Sequence, residues 1–332
     1  MKSLVNKFLT LVICTSALVM AAATVARAQL SSQLEEKNLP VGAFSTVNVT
    51  DDFEVTLVKG AYSVRLTADR ALAPYVQVYV RSKVLYIDYD QKAVPKDLQK
   101  QYKGKNAPEP VFRAVVYLPE LNGLEISDNA VVMSTDEFYG NAFSLSMTDK
   151  AQLKNLNIKV QSATISMKKN AQAILGVNAF SKVDVEAEGN SGLKLYSNTA
   201  ELNVKASGSA NLTISGESNN FALNTGGSSK VSASLRDEKA SFQLGGSSNV
   251  TIGGGTDSLE LRTEKNTNLD AKDYVAREVN AVMTDGEAHI NVTEQLKVSI
   301  SGGSVLNYSG TPAIQIERVI KSTLAPEGTS TK

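Results

Sequence analysis

The chain has 332 residues, enough for one large domain or two ordinary ones. Its 34 basic and 34 acidic residues cancel, so no net field draws it to nucleic acid or to anionic lipid. With 42% hydrophobic and 20% charged residues it can bury a core, which excludes a disordered chain.

Residues 1–28 read as a signal peptide. Lys2 and Lys7 precede an uncharged, mostly apolar run over 8–23. Ala26-Arg27-Ala28 then supplies a small-x-small cleavage signal, with Gln29 as the first mature residue. The run is too short and wrongly flanked for a comfortable membrane span. The only cysteine, Cys14, lies inside it, and Ile13 before it is not the small residue that lipid attachment favours. The mature chain is therefore expected to lack disulfides, thiolates and Cys metal sites. It is expected in the periplasm, on the outer-membrane surface or in the medium, with no transmembrane segment.

Residues 29–118 read as an N-terminal β cap plus opening coils. Strands are expected over 46–50, 53–58, 62–67, 76–80 and 84–89, where apolar and polar residues alternate. A Lys-rich loop over 91–110 carries lysines 92, 96, 100, 103 and 105. Seven of the eleven tyrosines fall in this third. If Val76, Val78 and Val80 face inward, Tyr75 and Tyr79 face outward; Leu85 and Ile87 inward likewise leave Tyr86 outward. Tyrosine is enriched at interfaces because it joins a large apolar area to one hydroxyl. Tyr75, Tyr79 and Tyr86, with Lys96, Lys100 and Lys103, are thus candidate partner-binding residues. The competing expectation is that these tyrosines pack under the loop and close the end of the fold.

From residue 119 to 311 the chain repeats itself. Aligned triplets end on Ala130, Ala151, Ala171, Ser191, Ala210, Ser229, Ser248, Thr267, Ala288 and Ser304, spaced by 19–21 residues until a last step of 16. Two residues beyond each comes an apolar residue, such as Leu153, Leu193, Leu212, Val231, Val250, Leu269 and Ile290. Polar residues intervene, as expected of strands with one buried face. A second short strand follows in each copy, for example Leu202-Asn203-Val204 or Phe242-Gln243-Leu244. One copy cannot bury its apolar face, but stacked copies can. All eight prolines lie outside 120–311, as expected where every strand needs its N–H groups on both sides. The fold class is therefore all-β: a single-stranded parallel β-helix, or β-solenoid, of about ten 19–21-residue coils with an N-terminal β cap. Residues 312–332 read as a C-terminal capping strand and tail.

The cap and solenoid together resemble the bacterial putative auto-transporter adhesin, or head GIN domain, family. The resemblance is carried by Phe44-Ser45-Thr46-Val47-Asn48-Val49, by Phe53-Glu54-Val55-Thr56-Leu57-Val58-Lys59-Gly60, and by Tyr62-Ser63-Val64-Arg65-Leu66. Leu118-Pro119-Glu120-Leu121, the Gly-Ser-Ser and Gly-Ser-Ala turns, and the closing Tyr308-Ser309-Gly310-Thr311-Pro312 add to it. It covers about residues 39–319. It implies an extracytoplasmic β-solenoid typical of Bacteroidetes-like Gram-negative bacteria, and it supplies no catalytic residues.

The residues themselves point the same way. His289 is the only histidine, so no multi-His metal site and no Ser-His-Asp constellation is expected. Stacking brings Asp128 towards Asp149 and Asp184 towards Glu201, which leaves carboxylate pairs of the glycosidase kind open. The Asn-x-Thr triplets at 211, 249 and 291 follow from polar–apolar alternation, and Gly253-Gly254-Gly255 reads as a turn, lacking the Lys of a phosphate loop. No catalytic, cofactor or metal residue is expected. The leading expectation is a non-enzymatic, adhesin-like binding or structural module for an unknown protein or glycan at the cell envelope, with no nucleic-acid partner. The alternative is a carbohydrate-processing β-helix enzyme, a polysaccharide lyase or hydrolase. The sequence names neither ligand nor oligomeric state.

Overall fold

A computed structural model describes residues 33–105 and 107–328; the expected signal peptide and Cys14 lie outside them. The chain opens with β1 (Leu34–Pro40), β2 (Thr46–Val49), β3 (Glu54–Lys59), β4 (Ser63–Asp69), β5 (Val76–Arg81), β6 (Val84–Tyr89), the helix α1 (Lys96–Gln101) and β7 (Phe112–Leu118). Next come β8 (Gly123–Ile126), β9 (Val131–Tyr139) and β10 (Ala142–Met147). The solenoid proper follows as long strands: β11 (Gln152–Met167), β12 (Gln172–Ala187), β13 (Gly192–Ala206), β14 (Asn211–Thr225), β15 (Lys230–Leu244), β16 (Asn249–Thr263), β17 (Asn268–Met283) and β18 (Glu287–Ser301). The chain ends with β19 (Val305–Ser309), β20 (Ala313–Ile320) and β21 (Thr323–Pro326).

From β11 to β18 each strand pairs in parallel with the next, and with the shorter coils at both ends the β-solenoid has about eleven turns. Each coil is one strand bent near its middle, where the sequence suggested two short ones. The alternation seen in sequence becomes an unbroken apolar column: Leu153, Ala173, Leu193, Leu212, Val231, Val250, Leu269, Ala288 and Leu306 stack in register, all buried. Each member is desolvated by its neighbours above and below, so the core is continuous along the rod.

A tight turn closes each coil through a residue of positive φ. At Gly208 and Gly227 this conformation is required twice over: φ is 68° and 65°, and a Cβ on Gly227 would press on the Gly208 backbone. Ser228 N–H donates to Gly208 O at 2.6 Å, so successive turns are themselves hydrogen-bonded. The small residue that follows each turn is fully buried. Ala288 does not hold the small position that its triplet suggests. The turn after β17 spans 284–286, one residue shorter than the turn at 264–267 before it. Gly286 therefore stands over Thr267, and Ala288 pairs with Leu269 in the apolar column. The period stays at 19 residues there.

The opening coils are not stacked in chain order. The coil β2–β3 has β8–β9 on one side and β6–β7 on the other, all parallel. Residues 63–118 thus build the end coil, after which the chain returns past β2–β3 to continue the rod. Antiparallel strands then cover the exposed edges: β5 on β6, β4 on β7 and β1 on β4. Covering an edge this way removes a template for unwanted pairing. The Lys-rich segment is not wholly loop, because 96–101 form α1, with Asp97 in its first turn and Lys100 in its last. Leu98, Tyr102 and the buried Val94 fix this segment against the core. At the other end β19 and β20 pair with the two halves of β18, and β21 pairs with β19. The expected closing strand is β20, and part of the expected tail is the strand β21.

Candidate functional site

The cap separates the sequence candidates. Tyr79 and Tyr86 face each other across the β5–β6 hairpin and stack at 5.1 Å with their rings 15° apart. Tyr75 is half-buried and packs on the core, as do Tyr89 and Tyr102. Burial is the main cause that pushes the Tyr89 and Tyr102 hydroxyls above the ordinary phenol range. Lys96, Lys100 and Lys103 are exposed, and Lys100 pairs with Asp97 at 3.0 Å. Among the described residues no ion pair, hydrogen bond or cation–π contact joins these lysines to the Tyr79–Tyr86 stack.

A second surface lies on the outer face of β11–β14. Ile174, Lys194 and Thr213 sit in register across three coils, and so do Asn157, Gly176, Tyr196 and Ser215 across four. Ile174 is 46% exposed and Tyr196 52% exposed. Gly176 and Gly192 leave gaps in the rows, into which the Asn157 and Gln172 amides lean. Two adjoining concavities result, of about 250 and 400 Å³, flanked by Lys154 and Lys194 and edged by Gln152, Gln172 and Asn211. The face thus offers apolar contact, amides and two cations on strands held by main-chain bonds on both sides. The signal was present in sequence: in Ala173-Ile174-Leu175 and Leu195-Tyr196 the large residue occupies an outward position of the alternation.

The bends of β13–β16 form a third feature, an open polar groove of about 660 Å³ lined by Asn198, Glu217, Arg236, Glu238 and Asp257 among others. In its floor Asp237 is only 7% exposed. Its two oxygens accept hydrogen bonds from Ser218 Oγ at 2.5 Å and Tyr274 Oη at 2.6 Å. Burial raises the Asp237 carboxyl above its ordinary value, against the lowering effect of these two donors. Burial and the Asp237 charge push the Tyr274 hydroxyl far up, so it remains a donor. The backbone makes room for this floor at Gly216 and Gly254, where φ is 138° and 114°. A Cβ there would fall on Ser197 O and Leu235 O of the neighbouring coils. With both oxygens engaged, Asp237 serves the packing of the bend.

The carboxylates considered from sequence are engaged by other partners. Asp149 bonds Lys169 at 2.6 Å, and this partner pulls its carboxyl down. Asp184 bonds Lys182 at 3.1 Å and accepts from Asn203 at 3.0 Å, while Glu201 pairs in register with Lys182. Asp128 accepts from Ser127 Oγ at 3.2 Å and from Asp51 N–H at 3.4 Å. His289 lies between Glu287 and Glu327, each at 3.0 Å, and so ties β18 to the end of β21. No group of three or more His, Cys, Asp or Glu among the described residues is placed to hold a metal ion.

Residues 43–216 and 203–312 match the family described as "Putative auto-transporter adhesin, head GIN domain". The chain belongs to this family. A search of curated proteins gives no match. Among solved structures, the chain is similar to a putative adhesin from Parabacteroides distasonis, with 18% identity, TM-score 0.38, and 88% of this chain and 96% of that chain covered. A putative lipid binding protein from the same species gives 15% identity, TM-score 0.36, and coverage of 89% and 96%. A putative adhesin from Bacteroides fragilis gives 14% identity, TM-score 0.29, and coverage of 90% and 98%. No helix among the described residues is long and apolar enough to cross a membrane.

Proposed function

We propose that this head GIN domain protein is a non-enzymatic, adhesin-like module, exported to the cell envelope or beyond it, that holds a protein or glycan partner on the outer face of β11–β14. The observation that carries the reading is the exposure of Ile174 and Tyr196 on that face, in rows that also hold Lys194 and Asn157, with Gln172 in the row beside them. Large apolar groups on rigid strands desolvate on contact with little entropy lost, since the backbone is already fixed. The amides and the Lys154 and Lys194 ammonium groups add direction and favour anionic or hydroxyl-rich partners, with a salt-screened component. The Tyr79–Tyr86 stack, with Lys96, Lys100 and Lys103 on the same cap, is a second and separate contact candidate. Tyr75 supports the packing of that cap.

The test is a glycan and matrix-protein array probed with the purified chain, run beside a reducing-end release assay. Ile174→Ser with Tyr196→Ser is expected to lower binding about tenfold or more while leaving the melting temperature within a few degrees, because both residues are exposed. Release of reducing ends from any bound polysaccharide would overturn the non-enzymatic reading. Binding that survives the double substitution would move the site away from this face.

A further inference from the structure

The two ends of the rod are finished differently. At the N-terminal end β1, β4 and β5 cover the strand edges by antiparallel pairing. Among the described residues β20, at the C-terminal end, pairs only with β18, and all eight of its residues are exposed. Ile314, Ile316 and Val319 stand in register with the buried Leu296, Val298 and Ile300. They occupy core-facing positions over which no further coil lies among the described residues, and they are 40%, 59% and 39% exposed. β21 extends only the other half of the coil, over β19.

We propose that this end is a self-association surface, on which β20 of one copy pairs antiparallel with β20 of a second copy. The sequence of β20 is built for a twofold axis. The register slips between Val298 and Ser299, so that Glu317 is passed over and Arg318 pairs with Ser299. Ile316-Glu317-Arg318-Val319 therefore runs core-facing, away, away, core-facing, a pattern that is the same read in either direction. An antiparallel axis between 317 and 318 sets Ile316 opposite the partner's Val319 and Glu317 opposite the partner's Arg318, each twice. Apolar residues then meet on the core side, and opposite charges meet on the outer side. In a regular strand this register would set core-facing residues against outward ones; the slip is what makes it consistent.

The charges are available for it. Glu317 holds Lys297 at 3.0 Å through Oε1 and remains half-exposed, which leaves its second oxygen to take an Arg318 from a partner. Arg318 is exposed and forms no ion pair among the described residues. A twofold contact of this kind closes on itself, so it gives a dimer rather than a fibre. Two rods would then lie end to end with their capped ends pointing outward.

The experiment is light scattering on gel filtration, together with sedimentation over a range of concentrations, on the purified exported protein. Wild type is expected to dimerise in a concentration-dependent way. Glu317→Arg sets Arg against Arg twice, and Arg318→Glu sets Glu against Glu twice; each alone is expected to weaken the dimer about tenfold or more. Mixing these two single variants in equal amounts restores both opposite-charge pairs and is expected to restore a dimer, now a heterodimer. The double variant Glu317→Arg with Arg318→Glu is expected to dimerise like wild type. Ile316→Lys is expected to be monomeric with an unchanged circular dichroism spectrum. A wild type that stays monomeric at its highest soluble concentration, single variants that dimerise unimpaired, or a mixture that stays monomeric would each overturn the proposal. So would open-ended polymers in place of dimers.

Discussion

Tyr274→Phe removes one hydroxyl from the middle of the rod and little else. The ring is buried and lies 6.0 Å from Phe242, and phenylalanine keeps that packing. What is lost is the 2.6 Å bond to Asp237 Oδ2. Because burial raises the Asp237 carboxyl, the folded state holds this proton more tightly than the unfolded chain does. The site's contribution is therefore full below the ordinary aspartate range and declines as pH rises through the folded-state value. Where Asp237 is charged, Tyr274 donates to an ion, and losing that bond costs about 1.5–3 kcal/mol. Where Asp237 is protonated, the bond is neutral and its loss costs about 0.5–1.5 kcal/mol. The cost of the substitution should thus grow with pH, by roughly 1–2 kcal/mol between acid and neutral conditions. Urea unfolding followed by circular dichroism at several pH values between about 4 and 8 measures it. Asp237→Asn, which cannot titrate, should abolish the pH-dependent part. A Tyr274→Phe cost that is the same at every pH would refute a change in the protonation of the folded-state Asp237 over that range.

Leu212→Asp should be severely destabilising, by about 4 kcal/mol or more, since it places an unpaired charge between Leu193 and Val231 in the apolar column. Asn211→Asp, one residue away and exposed, should stay within about 0.5 kcal/mol; equal costs in denaturant titrations would contradict the inward–outward assignment. Ser229→Ala should be neutral or stabilising by about 1 kcal/mol, because the buried Ser229 hydroxyl has no hydrogen-bond partner among the described residues and alanine fills the same position in other coils. A thermal melt showing clear destabilisation would mean that this hydroxyl is satisfied after all.

The coil was legible because its chemistry is periodic. A strand that pairs on both sides cannot hold proline, must alternate, and must place a small residue after each turn, so three independent signals shared one spacing. The alignment slipped only at Ala288, where one turn is a residue shorter and glycine itself fills the small position. The end coil was hidden for a different reason. Parallel pairing needs compatible strands, not consecutive ones, and nothing in β2, β6 and β8 records that β2 lies between the other two.

The sites follow the same division. Ile174 and Tyr196 could be read from alternation alone, since a large side chain at an outward position buries nothing within the coil. Ser218 and Asp237 are 19 residues apart, one period, so their contact is also implied by the repeat. Tyr274 is not: it lies 37 residues from Asp237, one short of two periods, and the register beside it is irregular. β17 carries an extra residue between Asp270 and Asp273 relative to β16, which rotates the chain and turns Tyr274 inward under the glycines at 253–255. A repeat fixes the contacts that recur. The contacts that tell one coil from another, and one end of the rod from the other, arise where the repeat is broken, at the bulge of β17 and at the slip in β20. A bulge in one strand of a stack must be absorbed by its neighbours, so such positions persist only where the surrounding residues accommodate them. Substitutions at these two places should therefore separate stability from association more cleanly than any change within the regular coils.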